Sequence, residues 1–169
     1  MNICIDNRDK NLFHTSNGWN LIRFPEQNGM IPMLIDYYTD MRFDYSDNNF
    51  AESEMLHRLN RDLLPTLEDI FGADNIVEFE TDLTTLNGDN AYGTLKSKIS
   101  IPTIGFYNSN REIFDKHNKW YWWTATPYDE VGCDLVCISS YNGNELAKPY
   151  FGSTGVRPLI MLKASAFRV

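Results

Sequence analysis

The hydrophobic and polar positions of the chain divide it into strand-like, then helix-like, then again strand-like stretches. Alternation predicts strands over residues 19–24 and 31–38. Apolar residues then recur at the helical spacing of three and four, namely Leu56, Leu59, Leu63, Leu67 and Ile70. Further strands are predicted over residues 76–80, 120–124, 135–140, 145–150 and 156–162. This order is typical of an α+β fold rather than of a doubly wound parallel sheet.

The two predicted helical segments have recognisable ends. Asn49, with Glu52 three positions later, has the spacing of a capping box and predicts the start of the first segment. Pro65 lacks a backbone N–H, so we expect a kink there or two short helices, the second starting near Pro65. Gly72 predicts the end of this segment. A second helix is predicted to begin after Thr103.

The last third of the chain carries the clearest turn signal. Asn142-Gly143 stands between two predicted strands and is typical of a β-hairpin turn. Pro158 predicts that the last strand begins at a sheet edge or at a bulge. The chain has 169 residues, of which 43% are hydrophobic, so we expect one α+β domain over residues 1–169. That domain should contain a mixed sheet and two helical segments.

Negative charge is concentrated in one part of the chain. The formal net charge is −8, and residues 36–90 hold fourteen acidic residues and only three basic ones. Because affinity for nucleic acids comes from neutralising phosphates, direct nucleic-acid binding is not expected. The acidic segment either contacts a basic protein surface or is a solvated face that keeps the protein soluble. The sequence leaves the oligomeric state open.

The hydrophobic pattern predicts neither a membrane segment nor an export signal. No stretch approaches the roughly 18 consecutive apolar residues that suggest a membrane span. Residues 1–9 carry charged side chains where a signal peptide needs an apolar run. We therefore expect no membrane partner and no signal peptide.

The residues that usually carry catalysis or hold metal ions are few and poorly spaced for either role. The three cysteines, Cys4, Cys133 and Cys137, are an odd and sparse set, which favours a reducing compartment or buried thiols. Four residues along a strand span about 13 Å, so Cys133 and Cys137 are too far apart to ligate one metal ion. The three histidines lack zinc-site spacing, and no phosphate-binding loop or nucleophile elbow occurs. We therefore predict no cofactor and no enzymatic activity.

One acidic turn leaves two interpretations open. The segment from Asp82 to Asp89 carries several oxygen-bearing side chains and Gly88, but it lacks the ligand spacing of an EF-hand. It is either a turn held together by local side-chain hydrogen bonds or an irregular calcium site.

Four consecutive aromatic residues, Trp120-Tyr121-Trp122-Trp123, are the densest aromatic feature. Strand alternation places Tyr121 and Trp123 on one face and the other two on the opposite face. One face should belong to the core, and the other is either covered as well or forms an aromatic platform for a sugar, a base or a partner protein. Arg157 lies among apolar residues, so we expect it to be buried and to fasten the last strand to the aromatic segment. Trp120, Trp122, Trp123 and Arg157 are therefore predicted to be structural.

The aromatic segment and the end of the chain together resemble a known family. Trp120 to Pro127, a Val-Cys-Ile strand with an Asn-Gly turn, and Gly155-Val156-Arg157-Pro158 resemble the ending of a family of uncharacterised Firmicutes and prophage proteins. Such endings are similar to the C-type-lectin-like fold of formylglycine-generating enzymes and of phage receptor-binding proteins. The resemblance implies that the tryptophan strand and the Arg-Pro strand lie side by side in the core, with ligands meeting the loops. Cys133 and Cys137 do not match the copper-binding cysteines of formylglycine-generating enzymes.

Two functional hypotheses follow. The first is a non-catalytic module of phage or prophage type that binds a protein or a glycan through its loops. Its predicted binding residues are Tyr128, Asp129, Glu130, Tyr141, Asn142, Asn144 and Tyr150, with Phe151 beside them. The second is an intracellular inhibitor of a host defence protein, such as a nuclease, whose basic groove would receive an acidic face. The residues of that face are Asp36, Asp40, Asp44 and Asp47. The expected location is the cytoplasm of a host cell or a virion.

Overall fold

Strands and helices follow one another in the predicted order. The computed structural model describes residues 3–117, 121–129, 135–139, 143–152 and 154–167. Its strands, in chain order, are β1 (Ile3–Ile5), β2 (Leu12–Thr15), β3 (Asn20–Arg23), β4 (Met30–Ile35), β5 (Thr39–Asp40), β6 (Ile76–Val77), β7 (Phe79–Asp82), β8 (Thr94–Ser97), β9 (Ile99–Ser100), β10 (Trp122–Pro127), β11 (Leu135–Ser139), β12 (Gly143–Ala147), β13 (Gly155–Val156) and β14 (Leu159–Lys163). Its helices are α1 (Glu54–Arg58), α2 (Leu64–Phe71), α3 (Ile104–Ser109) and α4 (Arg111–His117), with a π-helical turn over Leu59–Leu63 and 3-10 turns over Phe50–Glu52 and Ala164–Phe167.

The strands form a seven-stranded sheet, a five-stranded sheet and the hairpin β7–β8 within the described ranges. The larger sheet has the order β1-β2-β3-β4-β14-β6, and β9 also pairs with β14. The last strand of the chain is therefore central, so of the two positions predicted from Pro158, a sheet edge or a bulge, the sheet edge is wrong. Pro158 lies just before the β14–β4 ladder begins at Leu159, and its carbonyl accepts the Ile35 N–H at 2.9 Å. Proline has no backbone N–H to donate, but at this position the lack interrupts no strand pairing.

Both faces of the larger sheet are covered. Leu21 and Ile22 of β3 point to opposite faces because successive strand residues alternate. The Leu21 face packs against the first helical segment, and its buried side chains include Met33, Ile35, Ile160, Leu162, Leu59, Leu63, Leu67 and Trp123. The Ile22 face packs against α3, α4 and β10, and its buried side chains include Leu34, Leu159, Ile104, Tyr107, Phe114 and Trp122. The sheet is thus the middle layer between two groups of helices.

The first helical segment begins later than predicted. Ser53, rather than Asn49, caps α1, because its hydroxyl oxygen accepts the Leu56 N–H at 3.1 Å. Asn49 accepts the Ala51 N–H at 3.1 Å and so caps the preceding 3-10 turn. The capping box predicted from spacing is therefore replaced by two successive caps.

The rest of the first segment follows the prediction of two short helices. Pro65 lies in the first turn of α2, directly after the π-helical turn, at a position where a helix needs no N–H donor. Gly72 ends the segment with a φ of 87°, a conformation that glycine adopts without strain. The second predicted segment begins after Thr103, whose side chain caps α3 by accepting the Phe106 N–H at 3.0 Å.

The smaller sheet, of order β12-β11-β10-β13-β5, places only β13 of the Arg-Pro segment beside the tryptophan strand. The predicted closing strand over residues 156–162 is divided, because its larger part forms β14 of the other sheet. Trp122 lies opposite Gly155 in the parallel pair β10–β13, and the Gly155 N–H donates to the Tyr121 carbonyl at 2.9 Å. The strand itself runs from Trp122 to Pro127 rather than over residues 120–124, because its pairing with β11 continues past a bulge. Trp120 lies outside the described residues.

The predicted hairpin is confirmed by the antiparallel pair β11–β12. Gly143 lies opposite Ser139, so it belongs to the ladder and not to the turn. Asn142 falls outside the described residues. The second strand ends at Ala147, three residues short of the prediction, and Pro149 follows two residues later.

Gly155 is predicted to tolerate no side chain. A Cβ atom there would lie 3.1 Å from the Tyr121 carbonyl oxygen and 3.4 Å from the Tyr37 ring. We expect Gly155→Ala to lower the free energy of unfolding by about 1–3 kcal/mol, because backbone must move to relieve the contact. Gly152→Ala is the control, since no atom lies within 4 Å of its added Cβ. Urea denaturation of both variants measures the difference, and equal stabilities would contradict the close packing of β10 on β13.

The α+β class is confirmed, with mostly antiparallel sheets and a few helices in a single domain. Within the described part of the chain, none of the helices has both the length and the apolar character that crossing a bilayer requires.

Candidate functional site

The register of the smaller sheet brings two aromatic loops to the same end of it. Pro127 at the end of β10 lies opposite Leu135, and Leu135 lies opposite Ala147 at the end of β12. The chain therefore leaves β10 and β12 at the same end of the sheet, two strand spacings or about 10 Å apart. Tyr128 follows β10 directly, and Tyr150 is the third residue after the end of β12 at Ala147.

Two further loops are hydrogen-bonded to these. The backbone N–H groups of Phe43 and Asp44 both donate to the Pro149 carbonyl, at 2.8 and 3.2 Å. The Leu86 N–H donates to the Pro127 carbonyl at 2.9 Å. We use the name loop cluster for residues 42–49, 84–92, 127–129 and 148–152, which these bonds connect.

One buried side chain links three of the four loops. Asn48 is 1% exposed, although it lies in a strongly polar stretch of sequence. Its Nδ2 donates to the Asp129 carbonyl, and its Oδ1 accepts the Tyr92 hydroxyl at 2.8 Å. Because a buried amide is costly unless it is hydrogen-bonded, these contacts favour one relative arrangement of the loops.

The loop cluster presents a concentration of exposed apolar side chains. It holds five of the nine large apolar side chains that are exposed in the described residues, each between 42% and 63% exposed, and these are Tyr45, Leu86, Tyr128, Tyr150 and Phe151. The rings of Tyr150 and Phe151 pack edge to face with their centroids 5.4 Å apart. Grouped exposed apolar side chains of this kind mark interaction sites more often than single ones do.

Charged groups accompany these rings. The Arg42 guanidinium lies over the Tyr45 ring, 4.3 Å from its centroid. The Asp44 carboxylate accepts backbone N–H bonds of 3.0 to 3.1 Å from Glu54, Ser46 and Asp47. Partial burial alone would raise the pKa of Asp44, but these donors outweigh it and hold the pKa below its ordinary value. The carboxylate is thus ionised and shapes the loop at neutral pH.

The structure divides the predicted binding residues into two groups. Tyr128, Asp129 and Tyr150 lie together in the loop cluster. Asn144 lies in β12 opposite Ile138, three residues before the end of the ladder at Leu135 and Ala147, or about 10 Å away along the strand. The hairpin end therefore points away from the loop cluster. Glu130, Tyr141 and Asn142 lie outside the described residues.

The four residues of the predicted acidic face have different surroundings. Asp36 is half-buried and accepts a hydrogen bond of 2.8 Å from Nη2 of the buried Arg157. Asp40 is exposed in β5, opposite Gly155. Asp44 and Asp47 belong to the loop cluster, so the acidic segment and the aromatic loops meet there.

Arg157, predicted to be buried and bonded, is 3% exposed. Its guanidinium carbon lies 5.3 Å from the centroids of both Phe114 and Trp122, whose rings stack on each other 5.4 Å apart. Burial lowers the pKa of Arg157 to about 10 against the opposing effect of the Asp36 carboxylate. Arg157 thus fastens the last strands to β10 and α4.

Trp122 and Trp123 are both buried, on opposite faces of β10. Trp123 Nε1 donates to the Met41 carbonyl at 2.8 Å. Of the described aromatic segment, only Tyr121 is exposed, and its hydroxyl reaches Glu145 Oε1 at 3.4 Å. The described tryptophans are therefore covered within the domain and form no platform.

The side chains considered for metal binding are engaged in local contacts. Asp82 Oδ1 accepts the N–H and the hydroxyl of Thr84 at 2.9 and 2.6 Å, and Asp89 Oδ1 accepts the Ala91 N–H at 3.1 Å. These bonds fit the interpretation of the segment as a turn. The described residues contain no group of three or more side chains placed to hold a metal ion. Cys4 is exposed rather than buried, Cys133 lies outside the described ranges, and Cys137 lies in β11.

Sequence reasoning missed three parts of the loop cluster. Tyr45 stands alone among polar turn residues, and that isolation was the available signal for it. Leu86 similarly interrupts a polar turn. No local signal marks Asn48 as buried, because its partners lie 44 and 81 residues away along the chain.

Comparison with protein-family models, with curated proteins and with solved structures finds no match for this chain.

Proposed function

We propose that the protein is a non-catalytic binding module that recognises a partner protein through the loop cluster. The observation that carries the proposal is the concentration of five exposed apolar side chains on four loops that hydrogen bonds connect. In a monomer, exposure of such side chains brings no benefit to folding. A partner that covers them would bury their surface in the complex.

The chemistry of the surface favours a protein as the partner. Tyrosine and phenylalanine rings supply large contact areas at little cost in conformational entropy, and they are enriched at the centres of protein interfaces. The buried amide of Asn48 pre-orders the loops, which reduces the entropy lost on binding. The exposed aliphatic side chain of Leu86 adds a contact that suits a protein better than a glycan.

The proposal includes the biological setting that the chain ending suggests. The Trp120–Pro127 and Gly155–Pro158 segments resemble those of phage and prophage proteins of C-type-lectin-like architecture. The pairing of β10 with β13 is consistent with that architecture, in which ligands meet the loops. We propose such a module, placed in the host cytoplasm or on a virion.

The inhibitor hypothesis is a second proposal, which one observation favours. Asp44 and Asp47 of the predicted acidic face lie in the same loop cluster as the exposed rings, next to Tyr45. An inhibitor of a host protein with a basic groove would thus use the same surface as a general binding module.

Removing two of the rings is predicted to abolish binding without affecting the fold. We expect the double variant Tyr128→Ala/Tyr150→Ala to capture at least about tenfold less partner protein, because aromatic interface residues carry most of the binding energy. Its melting temperature should remain near that of the wild type, since both side chains are exposed. The measurement is capture by the immobilised protein from a lysate of the encoding organism or its host, quantified by mass spectrometry.

The control is the double variant Tyr37→Ala/Tyr121→Ala. These tyrosines are similarly exposed, but Tyr121 lies at the start of β10 and Tyr37 packs near it against Gly155. Capture should survive this change. If both double variants lose capture equally, or if the loop variant also melts much earlier, the loop cluster is not the binding surface.

A further inference from the structure

We infer that the loop cluster binds a positively charged protein surface, with arginine side chains of the partner stacked on its exposed rings. This inference rests on the proposed function and specifies the chemistry of the partner. It combines two properties that the sequence places in separate segments, the aromatic loops and the negative charge.

The loop cluster carries more acidic than basic residues. It contains four acidic residues, Asp44, Asp47, Asp89 and Asp129, and two basic residues, Arg42 and Lys148. Asp47 and Asp89 are exposed, and Arg42 is held over the Tyr45 ring. The chain as a whole carries a net charge of −8. Such a field attracts a basic partner and repels an acidic one. Both effects weaken as the salt concentration rises.

Arginine side chains of this protein already lie over aromatic rings. The Arg42 guanidinium lies 4.3 Å from the Tyr45 centroid at the surface, and the Arg157 guanidinium lies over two rings in the core. The attraction comes from the negative potential of the aromatic face and is stronger once water is excluded. Tyr128 and the Tyr150–Phe151 pair offer further exposed rings in the same loop cluster as the exposed carboxylates of Asp47 and Asp89. A partner guanidinium could therefore stack on a ring and pair with Asp47 or Asp89.

Arginine is a better fit than lysine for this combination. Its planar guanidinium stacks on a ring and can still donate in its plane to a carboxylate, whereas a lysine ammonium is a compact, strongly hydrated charge. A nucleic acid does not fit, since its phosphates would approach an excess of carboxylates. A neutral glycan would use the rings but would be indifferent to Asp47 and Asp89.

The test uses fluorescently labelled peptides in which glycine alternates with arginine, lysine or glutamate. Anisotropy titrations of the full chain should show binding of the arginine peptide, weaker binding of the lysine peptide and none of the glutamate peptide. We expect Asp47→Asn/Asp89→Asn to weaken binding of the arginine peptide by about fivefold at low salt. An asparagine oxygen can still accept the Asn49 and Ala91 N–H bonds, so the turns are kept.

The matched charge control is Asp69→Asn/Asp74→Asn, which removes two exposed carboxylates from the first helical segment and the turn after it. Binding should be unchanged in this variant. Tyr150→Ala/Phe151→Ala should weaken binding of the arginine peptide by about fivefold at both low and high salt. Salt screens stacking on a ring less than it screens the attraction between charges. If both charge variants weaken binding equally, or if the ring variant binds as tightly as the wild type, the inference is overturned.

Failure of this inference can be told apart from failure of the proposed function. If the loop variant Tyr128→Ala/Tyr150→Ala loses capture of a partner protein while the arginine peptide does not bind the wild type, the loop cluster binds something of other chemistry. The inference then falls and the proposed function stands. If a glutamate peptide or a glycan binds through these rings instead, the arginine inference is likewise overturned and the proposed function is retained. If no capture depends on the loop cluster, both fall.

Discussion

Asp36→Asn is expected to lower the free energy of unfolding by about 3 kcal/mol. The substitution replaces the carboxylate that faces the Arg157 guanidinium with a neutral amide, and a buried charge without its counter-charge is far more costly than the loss of a surface pair. Within the described residues, Asp36 supplies the single hydrogen bond of this guanidinium, since Nε and Nη1 find no partner there. The two stacked rings of Phe114 and Trp122 contribute attraction but no acceptor.

The control for this prediction is Asp40→Asn. Asp40 lies four residues further along, is exposed, and should change stability by no more than about 0.5 kcal/mol. Chemical denaturation of both variants gives the comparison. The double variant Asp36→Asn/Arg157→Met should lose less free energy of unfolding than the two single variants lose together. Equal effects of Asp36→Asn and Asp40→Asn would mean that Asp36 is a surface acid, as the acidic-face hypothesis assumes.

Trp122→Ala is expected to cost about 4 kcal/mol of stability and to lower the melting temperature by about 10 °C. Trp122 is buried, stacks on Phe114 with the rings 8° from parallel, and lies against Tyr107 of α3. Truncation opens a cavity where β10, α3 and α4 meet, and it removes one of the two rings that contact Arg157. Calorimetry measures the shift.

The neighbouring residue provides the control for Trp122. Tyr121→Ala removes an exposed ring whose hydroxyl bond to Glu145 is long, at 3.4 Å, and it should cost less than about 1 kcal/mol. If Trp122→Ala is as mild as Tyr121→Ala, Trp122 is not a core residue, and the interpretation of this strand as an aromatic platform becomes tenable again.

Much of the candidate site was accessible from sequence, although not its boundaries. Tyr128, Asp129 and Tyr150 were predicted as binding residues because they lie in loops, where the resemblance places ligands, and because tyrosine offers a rigid contact area. Asn144 and the hairpin end were grouped with them because they are close in sequence. Strand register separates them, since a hairpin turn and the open ends of its strands lie at opposite ends of the same ladder.

The acidic segment shows a similar limit. Asp36 and Asp47 look equivalent as acidic residues in one negatively charged stretch. One is the partner of an arginine 121 residues away, and the other caps a turn within a surface loop. Charge counts describe the field of the protein, but the role of a single carboxylate depends on which groups the fold places beside it.

The local elements and the α+β class follow from the sequence pattern alone. Helical periodicity around Leu59, the stop at Gly72 and the strand around Trp123 all follow from residues within a few positions of one another, because hydrophobic period and backbone preference act locally. Only Gly155–Val156 of the predicted Arg-Pro strand pairs with the tryptophan strand, while Leu159–Lys163 belongs to the larger sheet.

Three features arise from long-range contacts instead: the central position of β14, the burial of Asn48, and the meeting of the aromatic loops with the acidic segment. Each of these depends on partners from distant parts of the chain, such as β4 for β14, or Tyr92 and Asp129 for Asn48. Long-range pairings form because they bury the most apolar surface while satisfying the polar groups that burial removes from water. That balance belongs to the whole fold and is not encoded in any short segment of it.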